Sequence, residues 1–236
     1  ISRYKNIPVP TSYMAYHSDY NFVGGYDFQQ RAGVLHVANH HISPGKKQWT
    51  WGNGEFGQAW DRHLTDEDGP YIELMTGVYT DNQPDFTWLE SGEEKSFKQY
   101  FLPYKEVGEV KNATKEVLLG LVCKDEITCT LYTSTTLRNL SLVLTYGDDI
   151  IKRETIEKID PTTPMTCTSK GITKPTKPIV AALYDQSGEL ILQYSENPNK
   201  EELDIPEAAK KSEDPQDITS NEELFLTGLH LEQYRH

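Results

Sequence analysis

The feature that most constrains this chain is a succession of short strand-like runs between residues 33 and 195, with almost no helical periodicity before residue 200. Gly33 to Asn39 is a short apolar run, Lys47 to Trp51 alternates with period two, and Tyr71 to Tyr79 follows Pro70. Ser96 to Tyr104 alternates through Phe97, Gln99 and Phe101. Glu116 to Val122, Ile127 to Tyr132 and Leu140 to Thr145 continue the series. Pro178 to Tyr184 and Glu189 to Tyr194 flank Asp185-Gln186-Ser187-Gly188, whose Asp and Gly suit a hairpin turn. Strands this short and this closely spaced predict an all-β chain, with a small β-sandwich in its second half.

Composition divides the chain. Residues 1–110 contain all four Trp (Trp49, Trp51, Trp60, Trp88) and five of the seven His. Residues 111–196 have neither, but contain Cys123, Cys129 and Cys167 in a text rich in Thr, Val, Leu and Ile. Residues 197–219 are polar and acidic and read as a linker; 220–236 read as a helix. There Ser220 is an N-cap with Glu223 three positions on, a capping box. The aromatic and His-rich segment is the expected place for a site.

Acidic residues outnumber basic ones 36 to 23, a net charge of −13, which argues against nucleic acid as a partner. Apolar runs are too short for a membrane span. The three Cys read as small buried hydrophobes, a Cys123–Cys129 bridge being the alternative, and this usage leans towards a reducing cytoplasm.

Several motifs admit more than one reading. Gly52-Asn53-Gly54-Glu55-Phe56-Gly57 spells a dinucleotide fingerprint, but no βαβ unit surrounds it, so a glycine-rich loop beside a sugar or aromatic pocket is expected. His36, His40 and His41 have a metal-like spacing on strand and turn text, which spoils that geometry. No metal or other cofactor is expected, and His40 and His41 are read as hydrogen-bonding residues at a pocket rim. Asn112-Ala113-Thr114 and Asn139-Leu140-Ser141 are chance-level sequons. Glu73, inside an apolar strand, is costly there unless paired or used.

Sugar rings present hydroxyls and an apolar C–H face, so their sites combine aromatic platforms with carboxylates and amides. Trp49 and Trp51 on one strand face, then Trp60, Asp61, Arg62, Glu73, Asn82 and Gln83, supply that inventory.

The order Ile72-Glu73-Leu74, Asn82-Gln83-Pro84-Asp85-Phe86 and Leu89-Glu90-Ser91-Gly92-Glu93-Glu94, followed by an aromatic strand, resembles the end of the aldose 1-epimerase (galactose mutarotase) fold. That resemblance implies Glu73 as the general base and, through Gly25-Tyr26-Asp27, Asp27 as a sugar-hydroxyl ligand. Trp49 to Gly54, Asp68 to Leu74 and Ser220 to Arg235 resemble the bacterial family called DUF5107. In it a mutarotase-like domain precedes a small β-domain and tetratricopeptide repeats. The resemblance implies that residues 1–110 are the C-terminal part of the mutarotase-like domain, a supersandwich fragment. Its exposed edges are expected to be covered by the remaining N-terminal part or by another copy of the chain. The terminal helix would lead into the repeats. Three functions remain open: a carbohydrate-active enzyme using Glu73, a carbohydrate-binding module, and a scaffold.

Overall fold

The computed structural model describes residues 2–82, 87–172, 174–198 and 212–232. In chain order it contains a 3-10 turn at Tyr4–Asn6, then β1 (Thr11–Met14), β2 (Phe22–Asp27), β3 (Ala32–Val37), β4 (Gly45–Thr50) and α1 (Glu55–Thr65). β5 (Ile72–Gly77), β6 (Tyr100–Lys105), β7 (Val110–Ala113), β8 (Val117–Cys123), β9 (Glu126–Thr133) and β10 (Leu137–Tyr146) follow. The last elements are β11 (Asp149–Ile159), β12 (Met165–Lys170), β13 (Ile179–Tyr184), β14 (Leu190–Glu196) and α2 (Asn221–Glu232). The fold is all-β in class. Its four sheets run β1-β4-β5, β2-β3-β6, β12-β9-β8-β7 and β11-β10-β13-β14, and every strand pair among the described residues is antiparallel.

The two four-stranded sheets form a sandwich. Val117, Leu119 and Leu121 of β8 alternate inward and meet Leu140, Leu142 and Leu144 of β10 with Ile179, Ala181 and Leu183 of β13. Burying a side chain of this size contributes about 1.5–3 kcal/mol. Leu118 points the other way and is also fully buried, in a second cluster with Leu35, Val37, Leu102 and Tyr104. β8 is thus a wall shared by two cores, which explains why its sequence is apolar without alternation. The Asp185 turn forms as its chemistry requires. Asp185 Oδ1 accepts from the backbone of Ser187 and Glu189, and Gly188 takes a positive φ of 86°.

All three cysteines are free. Cys129 and Cys167 lie directly opposite one another on β9 and β12, both in the sandwich core. Burial pushes the Cys129 thiol up to about 12, and raises those of Cys123 and Cys167. Little thiolate exists at neutral pH, so an exposed-thiol reagent should label native protein slowly, Cys123 first, and all three rapidly only in denaturant. Fast native labelling of Cys129 would contradict this placement.

One expectation is overturned before residue 200. The Gly52–Gly57 stretch does not stay a loop: it turns into α1, eleven residues long, which carries Trp60, Asp61, Arg62 and His63. The helix inverts the usual pattern. Its buried residues are Gly57 and Asp61, while Phe56, Trp60 and Leu64, spaced four apart, are exposed. The glycines are there because backbone lies against backbone. A Cβ on Gly52 would stand 2.7 Å from the main chain of Val9, and one on Gly57 would stand 1.8 Å from the Gly52 carbonyl oxygen. Because β4 has only antiparallel neighbours, this strand–turn–helix is no dinucleotide unit.

α2 starts as its capping box dictates, with the Glu223 amide donating to Ser220 Oγ at 3.3 Å. None of its residues is buried. Among the described residues no helix is long and apolar enough to cross a membrane.

Candidate functional site

The register of β1-β4-β5 sets Ser12, Trp49 and Glu73 opposite one another, so their side chains stand in a row on one sheet face. Ser12 Oγ donates to Asn82 Oδ1 at 3.4 Å, which brings Asn82 to the same row. Two residues beyond Trp49, Trp51 shares its face, and the two indoles meet edge to face at 5.3 Å. Trp51 in turn stacks on Trp60 of α1 at 4.4 Å with ring planes 9° apart. Phe56 closes the cluster at 6.0 Å from Trp51, and His63 lies 6.4 Å from Trp60. Trp60 remains 38% exposed and Phe56 58%, so the cluster opens to solvent as a platform. The Trp51 indole nitrogen is buried without a hydrogen-bond partner.

Glu73 is half-buried. Its charge, with burial and a hydrogen bond to its carboxylate, raises the pKa of the Tyr71 hydroxyl. Trp49, Trp51, Trp60, Glu73 and Asn82 are therefore brought together, and Tyr71 joins them, a residue that sequence reading did not single out. The period of two that ties Tyr71 to Glu73 was the available signal. Gln83 lies outside the described residues.

Asp61 belongs to the frame of this site. It is 8% exposed, accepts the Tyr4 hydroxyl at 2.9 Å and the Tyr71 amide at 3.0 Å, and so ties the N-terminal segment and the start of β5 to α1. Burial, reinforced by Asp61, pushes Tyr4 up to about 12. Arg62, the next residue, is exposed on α1.

Asp27 sits in the other three-stranded sheet, at the β2–β3 turn. Its Oδ1 accepts from the amides of Gln29 and Gln30 at 2.7 and 3.1 Å, an Asx turn that any sugar hydroxyl would share. His40 and His41 lie in the β3–β4 loop, before Gly45, whereas Trp49 is near the far end of β4, ~13 Å along the strand from Gly45. The candidate residues thus fall into an aromatic–carboxylate group, a turn aspartate and a histidine loop.

Between the sheets lie two further polar groups. His36 points away from Leu35 and Val37, against the Phe101 ring at 5.2 Å, and neither of its nitrogens has a hydrogen-bond partner. Lys46, 3% exposed, also has no partner for its ammonium. Burial, then Lys46, lowers the pKa of His36. Because the folded value lies below the unfolded one, the unfolded chain binds the extra proton, and stability should fall as pH drops below about 6.5. Urea midpoints across that range should show the slope, and His36→Gln should flatten it. An unchanged slope in the variant would remove His36 as its source.

Among the described residues the architecture is an antiparallel β protein with an aromatic–carboxylate face on its first half. In the comparison with known families, residues 1–111 match the family described as Domain of unknown function (DUF5107). Residues 112–194 match the family described as YphG-like protein, second domain. No solved structure matches the chain.

Proposed function

We propose that the first half of the chain binds a sugar or oligosaccharide on the Trp49–Trp51–Trp60 platform and acts on it with Glu73 as general acid or base. The observation that carries this is the row Ser12–Trp49–Glu73, which puts a carboxylate beside indole faces on one side of β1-β4-β5. Asn82 supplies an amide for hydroxyls at the end of that row. The resemblance of the sequence Ile72-Glu73-Leu74 and of Leu89 to Glu94 to the end of the mutarotase fold supports the same chemistry. Under this reading the exposed apolar residues of α2 lead into repeats that contact proteins.

A second reading is a carbohydrate-binding module without chemistry. The hydrogen bonds of Asp27 and Asp61 favour it, since both carboxylates already hold turn and frame contacts. Glycoside cleavage needs two carboxylates flanking the bond, about 5–5.5 Å apart for retention and about 6.5–9.5 Å for inversion.

The test is to incubate the protein with mono- and oligosaccharides, following products by mass spectrometry and proton NMR. Glu73→Gln should lower turnover by about 10²–10⁴-fold while sparing binding. Binding without turnover in both proteins establishes the module instead. Trp60→Ala should weaken binding under either reading by about tenfold or more, the loss of an aromatic platform. Absence of binding across the library overturns both.

A further inference from the structure

A second site stands apart from the aromatic platform, where the β3–β4 loop meets the β7–β8 turn. We propose that it binds the anionic group of a small molecule, a phosphate or a carboxylate. A cavity of about 400 Å³ opens there, lined among others by Asn21, Asn39, His40, His41, Lys98 and Lys115. The chain carries a net charge of −13, yet among the described residues none that lines this cavity is acidic. Cations gathered against the average charge of a protein focus a local positive potential.

The side chains are arranged to donate. The His40 amide donates to Asn21 Oδ1 at 3.0 Å, so that oxygen is an acceptor, and His40 Nδ1, 2.7 Å away, must donate to it as well. This makes Nε2 an acceptor in the neutral ring and a donor once the ring takes up a proton, the state that an anion seated against it favours. The His41 ring lies 3.9 Å from that of His40, and Lys115 lies over the Tyr100 ring at 5.8 Å, beside the cavity. The Lys115 ammonium is also 3.6 Å from the exposed Glu116 carboxylate, which an anion would have to displace.

Behind the loop stands Lys46, buried and unpaired. A buried ammonium without hydrogen bonds is costly, and an anion nearby offsets that cost. Lys46 is within electrostatic reach of the cavity: His40 is held below its ordinary pKa by burial, then His41, then Lys46, with Asp19 acting in the opposite sense. An anion seated between His40 and Lys115 would meet the charges of Lys98 and Lys115 at the rim and of Lys46 behind it, against Asp19 and Glu116. This site is independent of the sugar reading, and its test does not involve Glu73.

The experiment is calorimetric titration of the whole chain with inorganic phosphate and with glucuronate, glucose serving as the uncharged control, at low salt and about pH 6. Histidine side-chain NMR is recorded in parallel. At least one anion is expected to bind saturably and to move the His40 resonances, with glucose silent. Lys46→Met and Lys115→Ala should each weaken binding by about tenfold, one charge-assisted contact. Lys46→Met removes an unpaired buried charge and should fold at least as stably, and Lys115→Ala, at the exposed rim, removes only a surface ion pair with Glu116 and a contact with the Tyr100 ring. Phosphate binding alone assigns a phosphorylated ligand; glucuronate binding alone assigns an acidic sugar or other carboxylate. No saturable binding of either anion, an affinity in either variant unchanged from that of the parent chain, or an equal response to glucose overturns the proposal.

Discussion

Gly57→Ala should detach α1 from its sheet and lower stability by about 3 kcal/mol or more. The methyl group would stand 1.8 Å from the Gly52 carbonyl oxygen and 2.7 Å from that of Trp51. Both obstacles are main chain, so no rotamer relieves the clash. Gly52 cannot retreat, because a Cβ-sized shift there runs into Val9 and because its amide donates to Thr50 Oγ1 at 3.1 Å. The helix must move, and with it Trp60 and Asp61. The stacked indoles make the effect visible: near-ultraviolet circular dichroism should lose the Trp51–Trp60 signal while far-ultraviolet strand signal largely survives. A variant with native aromatic spectra and an unchanged urea midpoint would show that the turn is looser than these contacts require.

Leu142→Ala should cost about 2–5 kcal/mol, since the deleted methyl groups lie at the centre of the sandwich and leave a cavity. The chain carries its own reporter for how far the damage spreads. All four tryptophans precede residue 110, so fluorescence reads the first half and far-ultraviolet circular dichroism reads both halves. Leu118, on the shared wall of β8, packs under Leu35, Val37 and Leu102, so loosening the sandwich withdraws support from β2-β3-β6. The fluorescence midpoint should therefore fall, but by less than the strand midpoint. Coincident shifts would mean that the two halves unfold as one unit; an unmoved fluorescence midpoint would mean that the Leu118 contact carries no coupling.

The elements legible from sequence were those whose burial follows a simple period. β3, β4, β5, β8, β9, β10, β13 and β14 show apolar runs or alternation, and Asp185 with Gly188 marks a turn by its own chemistry. β11 escaped because it is an edge strand whose Lys, Arg and Glu residues face water, with only Ile156 and Ile159 buried. Its Lys152–Glu154 and Lys158–Asp160 pairs, at 3.5 and 2.7 Å, suit an edge that must not recruit another strand. α1 escaped because its glycine-rich start reads as a loop; the helical spacing of Phe56, Trp60 and Leu64 was there to be read, but it marks the exposed face while the buried side is a glycine and an aspartate.

The site was legible to the same degree. Trp49 and Glu73 could be placed on strands, and antiparallel register then made them neighbours. Lys46 could not be found this way: a lysine in an alternating strand reads as solvated, and only the packing of two sheets reveals that it is buried. Asp61 looked like a ligand because it follows Trp60, and its two hydrogen bonds to distant tyrosines are invisible without the fold.

The segment from Tyr4 to Val9 has a bearing on the order in which the chain folds. Tyr4 donates its hydroxyl to the Gly52 carbonyl and to Asp61, and the Ile7 carbonyl accepts the Asn53 amide. Ile7 itself is 1% exposed. These partners lie some 50 positions downstream, so on a ribosome the strap emerges first and waits for the turn and helix that receive it. Closing so long a loop is slow relative to forming a hairpin. The β4–α1 corner should thus be among the last parts to become protected from hydrogen exchange during refolding, after the local hairpins β8–β9 and β13–β14.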